Sequence, residues 1–307
     1  MKHLLSLCLL LCLACAASAQ APKKNAGQPR PKAAAKKPAA TKTAAPPLSD
    51  DELKAKLDAA FKLAPAESVK ELESLLKSNP RSALRPRALE LLTAARAALG
   101  DELLKAGDAR GGVEQFRRAV ADAPDPVPDK LFQEVVSQLP ANLFLRGQRE
   151  AAFELARSIE ARVKSDPKRL VALAGFYLSV EQPEEAARIA SAASALAPDS
   201  APAQLALAAA HRISLQLDKA ADAYKRALEL DPKSAVARRG LADLQRASGR
   251  AEDALALYRE LLAADPKDQA ARAGLVASLF DAGRKEEAER ELESALRESP
   301  SNLPLLV

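Results

Sequence analysis

This sequence predicts an all-α fold, a solenoid of stacked helix-turn-helix hairpins, on three observations. Prolines recur at a fixed interval of 34 residues: Pro198, Pro232, Pro266 and Pro300. Other columns keep the same step, among them Leu173, Leu207, Leu241 and Leu275, then Ala174, Ala208, Ala242 and Val276, then Ala186, Ala220, Ala254 and Ala288. A fixed period of this length signals stacked copies of one supersecondary unit. Finally, alanine and leucine dominate from Leu48 onward, β-branched residues are sparse, and no run alternates as a strand would. Prolines and Gly107, Gly147, Gly249 and Gly283 cut this helical stretch into short pieces.

The N-terminal residues read differently. Residues 1–19 have the form of a secretory signal peptide: Lys2 and His3 first, an apolar run from Leu4 to Leu13, and Ala17-Ser18-Ala19 as a small-x-small cleavage site. The apolar run is too short to span a bilayer as a helix. All three cysteines, Cys8, Cys12 and Cys15, fall inside it, so cleavage leaves no disulfide, thiolate or Cys-ligated metal. Leu13-Ala14-Cys15 faintly resembles a lipoprotein acylation site, but Cys12 stands where such sites carry Leu. Residues 20–48, rich in Ala, Pro and Lys, read as a disordered, extended linker. That linker is a spacer, or an electrostatic attachment to a membrane or cell wall.

The net charge of +5 belongs to these first residues. Of 46 basic residues, eight precede residue 49 with no acidic residue among them; all 41 acidic residues follow, so the remainder is slightly acidic. A balanced repeat region argues against nucleic acid as a partner, because such domains cluster their basic charge on one face.

The unit at 235–268 shows the logic of one repeat. Ala235 to Ser248 forms a first helix with Leu241, Ala242 and Leu244 inward. Gly249 ends it, since glycine accepts the left-handed conformation of a helix terminus. Ala251 to Ala264 forms a second helix with Ala254, Tyr258 and Leu261 on one face, and Pro266 stops it. Ala254 is small where the helices approach, and Tyr258 fills the space beyond. Neighbouring units repeat the pattern with Tyr177 and Ala193, with Tyr224 and Ala227, and with Leu292 and Ala295. Ser200, Ser234, Asp268 and Asn302, each two residues after a period proline, are strong N-cap types.

The small alanine of the second helix, the aromatic or Leu four residues on, and the terminating proline together resemble the tetratricopeptide repeat. The resemblance covers residues 167–302 and extends upstream with gaps, through Leu99-Gly100, Leu103, Gly107, Gly112, Phe116, Ala119 and Pro124. It implies a right-handed α-solenoid of seven hairpins: degenerate repeats over 49–166 and regular ones over 167–307. One unit of 40 residues, about 127–166, departs from the pattern, and Pro140 should kink or break its first helix. The segment 49–82 matches only through its second helix and Pro80.

The residue inventory excludes most chemistry. Past His3, the one remaining histidine is His211, in a first helix where this family packs an aromatic; with no second His or Cys it reads as a core residue, not a metal ligand. Nucleophilic dyads and triads of ordinary composition are missing. The pairs Asp51-Glu52, Glu184-Glu185 and Glu286-Glu287 fall in predicted first helical turns, where negative charge complements the helix dipole. Gly111-Gly112 lacks the preceding strand and the spacing of a phosphate loop. No catalytic residue, cofactor or metal is therefore expected.

In this family the first helices line the concave face. By that resemblance, the exposed face here holds Lys168, Val171 and Leu178, then Leu205 and Arg212, then Arg239, Asp243 and Arg246, then Ala273, Ala277 and Phe280. The partner-binding set is read as Leu205, Arg212, Arg239, Asp243, Arg246 and Phe280, a mixed groove for an extended or helical protein segment with acidic and apolar residues. The family's chaperone-binding version clamps a carboxylate with Lys and Asn; those slots hold Leu205, Ala209 and Arg239, so that activity is not expected. At the C-terminal end, Leu292 and Leu296 lack a following repeat. The tail Leu303-Pro304-Leu305-Leu306 folds over them as a lid, or that end docks onto another protein or a second copy.

These readings point to a non-enzymatic interaction scaffold, exported to the periplasm or cell envelope, that assembles or holds a complex. The alternative is a regulatory or substrate-positioning accessory of an envelope enzyme acting on cell-wall polymer.

Overall fold

The computed structural model describes residues 48–298. The expected signal peptide, the motif at Cys15, the linker before Leu48, Asn302 and the apolar C-terminal tail lie outside the described residues.

The described chain is all-α, a stack of helical hairpins. The first pair is α1 (Asp50–Phe61) with α2 (Pro65–Ser78), and the second is α3 (Arg85–Lys105) with α4 (Ala109–Asp122). An irregular unit follows: α5 (Asp129–Glu134), a 3-10 turn (Val136–Gln138), α6 (Leu139–Leu145) and α7 (Arg149–Val163). Four regular pairs complete the stack: α8 (Pro167–Ser179) with α9 (Pro183–Leu196), α10 (Ala201–Ile213) with α11 (Leu217–Leu230), α12 (Ala235–Ala247) with α13 (Ala251–Ala264), and α14 (Gln269–Asp281) with α15 (Lys285–Glu298). Counting the irregular unit as one, seven hairpins stand among the described residues.

Each regular first helix starts on a side-chain cap. Asp166 accepts from the backbone N–H of Lys168 at 3.1 Å and Arg169 at 3.2 Å. Ser200 accepts from Ala203 at 3.3 Å, Ser234 from Ala237 at 3.3 Å, and Asp268 from Ala271 at 2.9 Å. Ser49 and Glu52 close a reciprocal capping box at the start of α1. The three expected acidic pairs stand in the first turns of α1, α9 and α15.

Every turn inside hairpins two to seven contains a residue of positive φ. Gly107, Gly147, Gly249 and Gly283 supply four, at 75–88°. Glu181 (φ 55°) and Leu215 (φ 57°) supply the others, in a conformation that costs a side-chain-bearing residue about 1–2 kcal/mol.

The break in the long unit lies at Val135–Gln138, just ahead of Pro140. Pro140 itself sits in the first turn of α6, where its missing N–H would have had no intrahelical partner. Arg162 on α7 ties this unit back to the previous hairpin: its guanidinium donates to the carbonyls of Val120 (3.1 Å), Ala121 (3.1 Å), Ala123 (2.7 Å) and Pro124 (3.2 Å) at the end of α4. The rings of Phe144, Phe153, Phe176 and Tyr177 then pack across α6, α7 and α8.

The apolar core runs through the stack as a chain of clusters, with the predicted column residues inside it except Leu207, which is half-buried against it. Ala186, Ala220, Ala254 and Ala288 are fully buried, as are Ala174, Ala208 and Ala242. Between regular repeats the seams are filled by tyrosine against glycine: Tyr224 of α11 over Gly240 of α12, and Tyr258 of α13 over Gly274 of α14. In the second hairpin, Gly112 meets Leu104 and the carbonyl of Gly100, which confirms its place in a tight helix crossing.

Candidate partner-binding face

The first helices α8, α10, α12 and α14 pack side by side, each against the next. Their side chains therefore recur in columns along one face, one residue per repeat. Val171, Leu205, Arg239 and Ala273 form one column, and Gly175, Ala209, Asp243 and Ala277 a second. Leu178, Arg212, Arg246 and Phe280 form a third.

The six predicted residues all lie on these helices, but they are not equivalent. Arg212 is exposed and forms no ion pair among the described residues. Phe280, at 41% exposure, is one of the large apolar side chains left open to solvent. Leu205 is half-buried rather than exposed, because it packs against the cluster built from α10, α11 and α12.

The charged members are engaged within the protein. The guanidinium of Arg239 pairs with Oδ2 of Asp268, the same carboxylate whose Oδ1 caps α14. Asp268 is only 13% exposed in its side chain, so Arg239 also serves the fold. Arg246 pairs with Asp281 at 3.2 Å, with both side chains open to water, at 39% and 48%. An ion pair of that exposure is worth about 0–1 kcal/mol and exchanges readily for another carboxylate.

Asp243 accepts a hydrogen bond from the hydroxyl of buried Tyr258. Burial, followed by that bond and the charge of Asp243, pushes the Tyr258 phenol well above the usual tyrosine range, so it stays a donor at every physiological pH. Burial disfavours the Arg246 charge, yet Asp281 and the Tyr258 hydroxyl outweigh it, and the guanidinium is held more firmly protonated than usual. Asp243, Tyr258, Arg246 and Asp281 thus form one connected polar group between an apolar start and Phe280.

The sequence-based set does not include Asp268, Asp281 or Tyr258. Asp268 and Tyr258 are legible in the sequence only in structural roles, as cap and filler. Asp281 lies 35 residues after Arg246, one repeat plus one position, a spacing that flags it as a neighbour.

Among the described residues, no group of three or more His, Cys, Asp or Glu could hold a metal. His211 is half-buried on α10, and burial followed by repulsion from Lys219 lowers its pKa. No helix among the described residues is long and apolar enough to cross a membrane.

Tetratricopeptide-repeat family models match residues 177–235, 216–257 and 245–306. Among solved structures, MamA is similar at 19% identity and a TM-score of 0.48, covering 54% of this chain and 90% of its own. TTC0263, a thermophilic TPR protein of Thermus thermophilus, is similar at 23% identity and a TM-score of 0.43, covering 61% and 99%. YrrB, described as a TPR protein with an unusual peptide-binding site, is similar at 18% identity and a TM-score of 0.47, covering 63% and 97%. No curated protein matches the chain in sequence.

Proposed function

We propose, from the premise that this chain is a tetratricopeptide-repeat protein over residues 177–306 and so a scaffold for protein–protein interaction, that it works in the cell envelope. There it holds a partner's segment on the face of its first helices and so assembles or retains a complex. The carrying observation is the alignment of four first helices, which sets Arg212, Asp243, Arg246 and Phe280 on one continuous face. The export reading rests on residues 1–19, whose polar start, apolar run and small-x-small site suit secretion. The residue chemistry of the face is that of recognition, with no nucleophile, base and orienting group in mutual reach. Turnover by the chain itself is not part of this reading.

Crosslinked affinity purification from the native cell tests it, with wild type beside a variant carrying Arg212→Ala, Arg246→Ala and Phe280→Ala. Arg239 is left intact because it supports the cap of α14. Enrichment of one partner by wild type and its loss from the variant, with unchanged helicity by circular dichroism, supports the face. Equal recovery from both moves the binding site elsewhere.

A further inference from the structure

The column Leu178, Arg212, Arg246 and Phe280 reads apolar, basic, basic, apolar along the stack. We infer that this column is a reading frame for an extended partner segment of the pattern apolar-x-x-acidic-x-x-acidic-x-x-apolar. The inference rests on the proposed use of this face and specifies what the face selects.

Spacing sets the period of the motif. Successive first helices are in direct contact, and packed helix axes lie about 8–10 Å apart. A segment in the extended polyproline II conformation advances about 3.1 Å per residue with three residues per turn, so three residues span about one repeat and residues three apart share a face. One partner side chain in three therefore meets the column. Four anchors at that step ask for a segment of about ten residues from the first to the last.

Chemistry sets the identities. Arg212 forms no ion pair among the described residues and presents an open planar fork of donors that fits a carboxylate. Arg246 has its guanidinium on the water-exposed Asp281, so a partner carboxylate can replace or share that contact. The Tyr258 phenol beside Arg246 stays neutral, so it adds no negative charge that would repel the incoming acid. At the ends, half-buried Leu178 and exposed Phe280 offer apolar ground where a further charge would be desolvated without return. A helical partner fits less well, because anchors that share a helix face would have to stand seven residues, about 10.5 Å, apart, which overruns the step and drifts out of register over four repeats.

The test uses purified full chain and a fluorescent probe, acetyl-Leu-Ser-Ser-Glu-Ser-Ser-Glu-Ser-Ser-Phe-amide, followed by anisotropy. Wild type is expected to bind it at least about tenfold more tightly than probes with the glutamates two or five residues apart. Arg212→Glu with Arg246→Glu should lose the probe and gain the version with lysines in place of glutamates. Retained folding of that variant is checked by its melting temperature. Equal binding of all spacings, or binding indifferent to the charge reversal, overturns the motif.

A second arm separates the motif from the face. A photoreactive benzophenone residue replaces Ala209 on α10 in the native cell, with Lys225 on α11 as the control position. A partner captured only from position 209, whose crosslinked segment carries acids three apart, supports both readings. A partner captured there whose segment lacks that spacing overturns the motif while the face stands. Capture only from position 225 overturns both.

Discussion

The ring of Tyr258 in α13 occupies the space into which a Cβ on Gly274 of α14 would project. Tyr224 and Gly240 repeat the relationship one unit earlier. The same columns hold Ala190 and Ala206 in the unit before that. Where the second helix carries a tyrosine, the next first helix gives up its side chain; where it carries alanine, the next one keeps a methyl. Gly274 thus serves packing, in a helix interior where glycine otherwise costs about 0.5–1 kcal/mol relative to alanine.

Gly274→Ala is therefore expected to destabilise, although alanine is the better helix former. Overpacking of a filled seam costs about 1–3 kcal/mol. Adding Tyr258→Leu should recover part of the loss, because the smaller side chain vacates the clash. Urea melts of the two single variants and the double variant check this. Additive single effects would mean that the two residues do not share one space.

Asp268 joins two tasks, the cap of α14 and the partner of Arg239. Asp268→Ala should cost more than Ser234→Ala, whose loss is a cap alone at about 1 kcal/mol. Asp268→Asn keeps an oxygen for the Ala271 N–H and gives up the charge, so it should cost less than Asp268→Ala and isolate the pair with Arg239. Thermal melts of the three variants rank the two roles, and an Asp268→Asn variant as stable as the wild type would show that Arg239 adds nothing.

The hairpin turns show what was legible in the chain and what was not. Gly107, Gly147, Gly249 and Gly283 announced helix ends, and all four have positive φ. Glu181 and Leu215 stand 34 residues apart in the same column as Gly249, yet their residue types gave no signal; the repeat register alone placed them in the left-handed region. The same division holds at the face. The family resemblance put Arg239 and Arg246 on it, but their partners Asp268 and Asp281 come from the following repeat, and only the spacing of Asp281, one repeat plus one position, marks such a pairing in the sequence. The Tyr–Gly exchange was present in the 34-residue columns but was masked because glycine within a helix reads as a propensity defect.

Leu215 carries both a left-handed backbone and 80% exposure, so its side chain contributes little burial to offset the strain. Leu215→Gly is expected to raise stability by about 0.5–1 kcal/mol, the reverse of the usual effect of a glycine substitution. The converse change, Gly249→Leu, should lower it by a similar amount. Denaturant midpoints compare the pair, and a loss on Leu215→Gly would show that the leucine packs in solution.

Arg162 contributes in a way that differs from the exposed ion pairs nearby. It satisfies four carbonyls at the end of α4, which would otherwise lack partners at a helix terminus. Arg162→Met should cost about 1–2 kcal/mol and open the α4–α7 seam to hydrogen exchange. The neighbouring pair Arg117–Glu154 is 51% exposed on each side, and Arg117→Met should cost under about 1 kcal/mol. Exchange rates of the amides from residue 119 to 123, measured in both variants, check the contrast.

His211 gives the repeat stack a small acid sensitivity. Burial, then repulsion from Lys219, lowers its pKa below the ordinary value of about 6.5, and a hydrogen bond with Gln216 opposes the shift only in part. A histidine whose folded-state pKa is depressed favours folding when neutral. Its contribution is present above the unfolded value and is lost as pH falls through the folded one. The carboxylates of Asp101, held low chiefly by Lys105, and of Glu160, held low chiefly by Arg188, lose their contributions only further down, within the carboxylate range. Between pH 7.5 and 5.5 the melting temperature of the wild type should therefore fall slightly, while that of His211→Gln should change less. Equal slopes in both proteins would assign the acid sensitivity to another group.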